Sequence, residues 1–321
     1  MQSSSFRRRT RIARVAVFVS CFLGPVVAAG AQSSPAPRRH EVRADDGHRL
    51  VVWEKRPTRA PLGEIMLLHG RTWSARPNFD LRVAGQPVSL MDALVARGYA
   101  VYALDQRGYG STARDATGWL TPDRAASDAG DVADWVAMHA PHARRPALFG
   151  YSRGSATAML AAQRHPDKVS SLIMYGPYHN IENLPTIPAE PSAPLRSHTT
   201  AAGAAEDFIT PDSTPRGVKD AYVKAATTSD PVRADWRHEE QFNGLDPAAI
   251  HVPTLIIHGD RDPYAKEAGL PVFFSRLGTV DRWWVVLASA DHVAHLERQP
   301  AFVQALVGFL ERDGRPRHQV N

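Results

Sequence analysis

Short apolar runs that alternate with amphipathic segments are the feature of this sequence that most restricts its fold. The segments between the runs place their apolar side chains at helical spacing. The strands predicted from the runs cover residues 64–68, 100–105, 146–151, 169–175, 254–258 and 283–287. Short buried strands that alternate with helices are typical of a mostly parallel sheet with helices on both faces. The sequence therefore predicts an α/β fold.

The segments outside this alternation are predicted from their local pattern. Residues 48–55 alternate apolar and polar side chains, which predicts a half-exposed edge strand, and residues 33–40 are predicted to be a linker. The alternation is interrupted between residues 177 and 252, where four prolines exclude a central strand and helices are predicted near residues 200–208 and 216–227. We therefore predict one domain, formed by residues 32–176 and 253–321, with residues 177–252 inserted as a helical cap.

The first 31 residues have the pattern of a signal peptide. Five arginines precede an apolar run at residues 15–29, and Ala29-Gly30-Ala31 forms a small-residue cleavage site. The run is shorter than the roughly 20 residues that a membrane span needs, so cleavage near Ala31 is favoured over a retained anchor. We expect the protein to be exported to the periplasm or the medium.

The export signal also accounts for the basic composition and for the single cysteine. The chain has a formal charge of +5, and the five arginines of the signal peptide supply all of it. A nucleic-acid partner is therefore not expected. Cys21 is the only cysteine and lies in the apolar run, so the mature chain is predicted to have no thiol chemistry.

A Gly-Tyr-Ser-Arg-Gly motif at residues 150–154 provides a candidate nucleophile, Ser152. It follows a predicted strand and opens an Ala-rich predicted helix. A sharp strand-to-helix turn holds a serine hydroxyl exposed, and small residues on either side let the neighbouring backbone pass closely. The helix N-terminus favours negative charge on the reacting oxygen. This context favours a nucleophilic serine over an ordinary glycine-rich loop.

A base and an acid are expected in loops that follow late strands. His292 lies just after the last predicted strand, and His295, three residues on, is its competitor; we favour His292. Asp260 and Asp262 both follow the strand at residues 254–258. Asp260 is also suited to capping its own turn, so spacing alone leaves the acid open between the two.

The order of Ser152, Asp262 and His292 along the chain resembles that of the α/β-hydrolase superfamily. The resemblance is carried by Leu-Leu-His-Gly at residues 67–70, Asp-Gln-Arg-Gly-Tyr-Gly at 105–110, Gly-Asp-Arg-Asp at 259–262 and Asp-His-Val-Ala-His-Leu-Glu at 291–297. It implies that Asp262 is the acid, that His292 is the base, and that the backbone N–H groups of Arg71 and Arg153 form the oxyanion hole. It further implies a mostly parallel eight-stranded sheet with a lid between the sixth and seventh strands, which matches residues 177–252.

The departures from the superfamily's subgroups narrow the predicted activity. Gly70 is followed by Arg-Thr-Trp. The chain therefore lacks the His-Gly-Gly-Gly signature of many esterases and the His-Gly-Gly-Pro-Gly signature of proline iminopeptidases. Ser152 argues against the haloalkane dehalogenases and epoxide hydrolases of the superfamily that this chain resembles, because those enzymes use an aspartate nucleophile. We expect a carboxylesterase-like enzyme that acts through an acyl-enzyme on a small ester. A C–C bond hydrolase, lactonase, amidase or cofactor-free perhydrolase remains open on the same residues, and so does a catalytically silent binding module.

The sequence says less about the substrate pocket. Trp73, Tyr151 and Tyr178 adjoin motif residues and are predicted to line the acyl pocket, with ordinary packing under the cap as an equal alternative. The segment at residues 73–88 is longer than the usual link and has no firm assignment beyond a pocket wall. No metal or organic cofactor is expected, because ligand spacing and a dinucleotide fingerprint are both missing. The oligomeric state is not predicted.

Overall fold

A twisted eight-stranded sheet forms the centre of the molecule. The computed structural model describes residues 35–140, 144–177, 190–265 and 269–312, so the predicted signal peptide lies outside the described residues. The strand order is β1-β2-β4-β3-β6-β7-β9-β10. The strands are β1 (Arg38–Arg43), β2 (Arg49–Lys55), β3 (Gly63–Leu68), β4 (Tyr99–Asp105), β6 (Ala147–Tyr151), β7 (Ser171–Tyr175), β9 (Thr254–Gly259) and β10 (Arg282–Leu287).

From β4 to β10 the sheet is parallel throughout, and β2 is antiparallel to both of its neighbours. Strands β3, β4, β6, β7 and β9 are buried along nearly their whole length because helices cover both faces. The predicted fold, a mostly parallel eight-stranded α/β-hydrolase sheet, is confirmed.

Alternate side chains of each strand enter two separate hydrophobic cores. On β3, Met66 and Leu68 pack into one core and Ile65 and Leu67 into the other. Helices α3 (Pro122–His139), α4 (Arg153–Arg164) and α7 (Leu270–Arg276) cover the first face. Helices α2 (Leu90–Ala96) and α9 (Gln299–Leu310) cover the second face of the sheet. Helix α1 (Ala75–Phe79) also packs on this face, and the short helix α8 (Ala294–Glu297) precedes α9. The apolar periodicity of the sequence therefore reports burial on both sides of one sheet.

The N-terminal edge of the sheet corrects two expectations. Residues 38–40 belong to β1 and not to a linker, and β2 lies between β1 and β4 instead of at the edge. The sequence Arg-Arg-His-Glu-Val-Arg of β1 buries only Val42, so it lacks the apolar alternation that predicts a strand. Its structure comes from backbone pairing with β2, which a local pattern does not contain.

The chain between β7 and β9 contains α5 (Ala201–Ala205), α6 (Val218–Ser229), β8 (Asp235–Trp236) and two 3₁₀ turns, Glu239–Gly244 and Pro247–Ala249. Strand β8 pairs with β5 (Trp119–Leu120) to form a separate two-stranded sheet. A third hydrophobic cluster joins α5 and α6 to Trp73 and Leu296, which lie near two of the sequence motifs. Among the described residues, no helix combines the length and apolarity needed to cross a membrane.

Candidate active site

Ser152 lies at a sharp turn between β6 and α4. Its backbone has φ 53° and ψ −122°, a conformation that non-glycine residues rarely adopt. A Cβ atom on Gly150 would lie 2.1 Å from the carbonyl oxygen of Gly154, and one on Gly154 would lie 2.4 Å from that of His69. Both residues must therefore be glycine for the turn to close, which explains the Gly-x-Ser-x-Gly pattern in physical terms.

Asp262 and His292 form a buried acid–imidazole pair. Asp262 Oδ2 lies 2.9 Å from His292 Nδ1, and the two side chains are 0% and 3% exposed. The other oxygen, Asp262 Oδ1, accepts a hydrogen bond from the Tyr264 amide at 2.9 Å. Burial raises the pKa of the Asp262 carboxyl, but the hydrogen bond from His292 and that histidine's charge outweigh it and leave the pKa below its ordinary value. Asp262 is therefore an anion that orients the imidazole.

The two competing residues have other partners. His295 Nε2 donates to the backbone carbonyl of Asn78 at 3.0 Å, and His295 Nδ1 lies 3.0 Å from the Tyr175 hydroxyl. Burial lowers the pKa of His295 to about 3, so this ring stays neutral and packs in the core. Asp260 is exposed and accepts a hydrogen bond from the Ala290 amide at 3.1 Å. The geometry thus brings Asp262 to His292 and leaves His295 and Asp260 in structural contacts.

Ser152 and His292 line one pocket of about 340 Å³. Of the residues predicted around the nucleophile, the pocket wall includes Arg71, Arg153, Trp73 and Tyr151, while Tyr178 lies outside the described residues. Within the described part of the chain, the side chains of Ser152 and His292 form no direct hydrogen bond with each other. Such contacts are often long in hydrolase sites without substrate and tighten when substrate binds.

Several pocket residues carry no signal in the sequence. Tyr264 is one of them and packs edge-on against the His292 ring at 4.7 Å, while the predicted Tyr151 lies 4.9 Å from the same ring. The chain between β7 and β9 adds a charged wall that includes Glu206, Asp207 and Arg233. Burial raises the pKa of the Asp207 carboxyl. Sequence patterns missed this wall because its residues lie in an irregular segment far from any motif.

Side chains from the same segment also hold the loops that carry Arg71 and Arg153. Glu239 receives Arg71 Nη2 at 2.6 Å and also pairs with the guanidinium of Arg153. Trp236 Nε1 donates to the Tyr109 hydroxyl at 2.7 Å, and that hydroxyl donates to the Arg71 carbonyl. The two backbone segments beside Ser152 are therefore fixed by a carboxylate and an indole of the chain between β7 and β9.

The Asp-x-Arg-Gly-x-Gly turn that follows β4 is structural. Asp105 accepts hydrogen bonds from the Ala75 amide, the Ser111 amide and the Trp53 indole at 2.9–3.0 Å. Arg107 pairs with Asp128 of α3 through two nitrogens at 2.6 and 2.8 Å. These contacts tie the turn to the helix that covers the sheet and take no part in lining the pocket.

The arrangement is suited to nucleophilic acyl transfer. It combines a partly accessible serine at a helix N-terminus with an oriented imidazole in the same pocket. Two clusters of histidine and glutamate occur among the described residues, His40–Glu54–His139 and Glu190–His238–Glu240, and neither lines this pocket.

Comparisons with known proteins agree with this chemistry. Residues 60–299 match the profile of the family described as serine aminopeptidase, S33 (Hydrolase_4). The chain is 24% identical over 237 residues to 2-hydroxy-6-oxo-6-(2'-aminophenyl)hexa-2,4-dienoic acid hydrolase of Metapseudomonas resinovorans, covering 68% of this chain and 76% of the relative. It is 24% identical over 264 residues to a monoacylglycerol lipase of Mycolicibacterium smegmatis, covering 75% and 85%.

Two solved structures show the same fold. The carbazole-degradation serine hydrolase CarC superposes with a TM-score of 0.61 at 19% identity, covering 86% of this chain and 99% of that one. An esterase of Thermogutta terrifontis superposes with a TM-score of 0.60 at 15% identity, covering 86% and 98%.

Proposed function

The chain belongs to the α/β-hydrolase family described as serine aminopeptidase S33 and is a serine hydrolase; from this premise we propose that it is a carboxylesterase of small esters with Ser152 as nucleophile. The observation that carries the proposal is the buried 2.9 Å contact between Asp262 and His292, beside the pocket that Ser152 also lines. An anion held against one ring nitrogen leaves the other nitrogen to act as the base in the proposed mechanism.

The proposed reaction proceeds in two steps. Ser152 Oγ attacks the acyl carbonyl while His292 Nε2 takes its proton, and the alcohol leaves after it receives that proton from the imidazolium. Water then gives a proton to the same histidine and attacks the acyl-enzyme, the bond between Ser152 Oγ and the acyl carbon breaks, the imidazolium returns the proton to Oγ, and the carboxylic acid leaves. Asp262 stabilises the imidazolium in both steps. The amides of Arg71 and Arg153 are proposed to donate to the oxyanion, and Arg153 is the first residue of α4, where helical N–H groups have no intrahelical acceptor.

The pocket chemistry supports small or medium esters with a polar part. About 340 Å³ falls within the range of small-molecule sites. Trp73 and Tyr151 offer aromatic surface to the pocket that Ser152 lines, and Glu206, Asp207 and Arg233 add charged groups to its wall. We also propose that residues 177–252 are the cap of this pocket, since Thr200 and Asp207 of that segment line it. Export after cleavage near Ala31 belongs to the same proposal and rests on the N-terminal sequence alone.

A second candidate is hydrolysis of a C–C bond next to a carbonyl. It is favoured by one observation of the pocket, the exposed guanidinium of Arg233 on its wall, which suits a substrate carboxylate. A dienoic acid hydrolase is among the relatives, and dienoic acids carry such a group. The same catalytic residues serve both reactions, so the substrate must be identified by assay.

A substrate panel with two serine variants tests the proposal. Purified protein is assayed with p-nitrophenyl esters of two to eight carbons, a lactone, an amide and a vinylogous diketone carboxylate. Ester turnover that falls by at least about 10⁴-fold in Ser152→Ala is expected, since the nucleophile is lost. Ser275→Ala, which removes an exposed hydroxyl on α7, is the matched control and should keep the wild-type rate. Turnover of the diketone with none of the esters would favour the C–C hydrolase, and ester turnover that survives Ser152→Ala would refute both.

A further inference from the structure

Two histidines and a glutamate from three separate elements meet at the N-terminal end of the sheet. His40 of β1 places Nε2 2.7 Å from Glu54 Oε2 of β2, and His139 at the end of α3 places Nε2 3.6 Å from Glu54 Oε1. The three ligand atoms all lie within 4.8 Å of one another. Glu54 is almost fully buried, at 2% exposure, whereas both imidazoles are partly accessible. The cluster therefore has a buried anionic floor and an open side.

One buried aromatic side chain, Tyr102, adjoins the cluster. Tyr102 of β4 is paired directly with Glu54 across the antiparallel ladder, so both side chains are on the same face of the sheet. Its hydroxyl is buried beside the Glu54 carboxylate. The phenol therefore places a further polar group next to the buried side of the cluster.

The ring of Trp135 fixes both imidazoles. It stacks on His139 at 4.5 Å with an interplanar angle of 13°, and it lies 5.1 Å from the ring of His40. The two imidazole rings are 5.1 Å apart. The orientation of the donors is therefore set by packing, which is a requirement for a metal site with defined geometry.

We propose that His40, Glu54 and His139 bind a zinc ion. Ligands 2.0–2.1 Å from a tetrahedral zinc ion are about 3.3 Å from one another. The two imidazole nitrogens lie 2.7 Å from Glu54 Oε2 and 3.6 Å from Glu54 Oε1, and one ligand atom from each residue lies within 4.8 Å of the others. Small rotations of these side chains would therefore bring three ligands to one tetrahedral ion. Two imidazoles and one carboxylate form a donor set that suits Zn²⁺ better than Mg²⁺ or Ca²⁺. A water molecule would complete the fourth corner.

The site is structural and separate from the hydrolase chemistry. In the sheet, β4 and β3 lie between β2 and β6, the strand that leads to Ser152. A bound ion would tie β1, whose side chains are mostly exposed, to β2 and to the end of α3. Sequence patterns gave no indication of it because its ligands are separated by 14 and 85 residues and follow no recognised spacing.

Arg56 is the group that competes with the ion. Its Nη1 lies 3.3 Å from Glu54 Oε1, and its side chain is 29% exposed, so it can move into solvent. Removing it takes away a positive charge next to the site and should strengthen metal binding. Glu190, His238 and Glu240 form the second cluster of this kind in the described residues, but all three are partly or fully exposed, and it serves as the comparison site.

Zinc titration of chelator-treated full-length protein tests the proposal, with isothermal calorimetry for stoichiometry and affinity and thermal unfolding as a second readout. The wild type should bind one zinc ion tightly and unfold at a higher temperature when zinc is present. Glu54→Gln and His139→Ala should each weaken binding by about 100-fold or more. Arg56→Ala should bind at least as tightly as the wild type, and His238→Ala should leave the tight site unchanged. Ester turnover should be the same with and without zinc.

Three outcomes would overturn the proposal. One is that the wild type binds no zinc in the micromolar range. The second is that a folded Glu54→Gln or His139→Ala protein, checked by circular dichroism, retains wild-type affinity. His139 is partly exposed at a helix end, so its replacement should fold even if the buried Glu54 does not tolerate change. The third is that His238→Ala removes the tight site, which would place it at the exposed cluster.

Discussion

The contact between Asp262 and His292 leads to the most specific prediction for catalysis. Asp262→Asn preserves the size of the side chain, and the amide oxygen can still accept the hydrogen bond from the Tyr264 amide. It removes the negative charge that lies 2.9 Å from the imidazole. The variant therefore isolates the electrostatic part of the role of Asp262.

The magnitude follows from Coulomb's law. At 2.9 Å and an effective dielectric constant of about 20, an ion pair is worth about 6 kcal/mol. In the proposed mechanism the imidazole takes the serine proton as the transition state forms, so most of this energy acts on the transition state. About 1.4 kcal/mol corresponds to tenfold in rate. The asparagine keeps a partial dipole, so we expect kcat to fall by about 10³- to 10⁴-fold.

The assay is steady-state hydrolysis of the best p-nitrophenyl ester, with Asp260→Asn as the matched control. Asp260 is exposed, and its bond from the Ala290 amide can be accepted by an asparagine oxygen as well, so the control should stay within about threefold of the wild type. Both proteins should unfold at temperatures close to that of the wild type. A loss of less than tenfold in Asp262→Asn, or an equal loss in Asp260→Asn, would refute the assignment of the acid.

Two further predictions concern residues that support the site. Glu239→Gln removes the negative charge that pairs with both Arg71 and Arg153. The backbone amides beside Ser152 then lose their anchor, so kcat/KM for esters should fall about tenfold relative to the control variant Glu240→Gln. An unchanged kcat/KM would contradict this role of Glu239. Burial, and then the hydrogen bond and the charge of the Asp291 carboxyl, raise the pKa of Glu297 to about 7. The folded protein therefore holds a proton that the unfolded chain releases, and stability should fall as pH rises from about 4.5 to 7. For a half-buried group this change in the free energy of unfolding is about 1–2 kcal/mol after solvent screening. Urea titrations at pH 5 and pH 8 measure the change, and Glu297→Gln should abolish it. The same change in the variant as in the wild type would contradict the assignment.

The sheet was predictable wherever burial leaves a trace in the sequence. Strands β3, β4, β6, β7 and β9 are covered on both faces, so each appears as an apolar run. Strand β1 was not predictable because its stability comes from pairing with β2, and its side chains are mostly exposed. A pattern of single residues contains no information about a partner strand.

The same distinction applies to the site. The glycines beside Ser152 are dictated by backbone contacts within a few residues, so a short motif contains them. Tyr264 against the His292 ring and Glu239 against Arg71 join segments that are distant in sequence, and no local signal marks them. Spacing in the sequence does not decide whether Asp260 or Asp262 is the acid that pairs with His292. The structure distinguishes the two, because Asp262 contacts the imidazole and Asp260 accepts a hydrogen bond from the Ala290 amide.

Covalent labelling tests most directly whether Ser152 is the nucleophile. The full chain is treated with a fluorophosphonate, and the adduct is quantified by intact mass and located by peptide mass spectrometry. One adduct per chain on the peptide that contains Ser152 is expected, with labelling much slower in His292→Ala because the base is gone. An unlabelled chain that still hydrolyses esters, or an adduct on a different serine, would contradict the assignment.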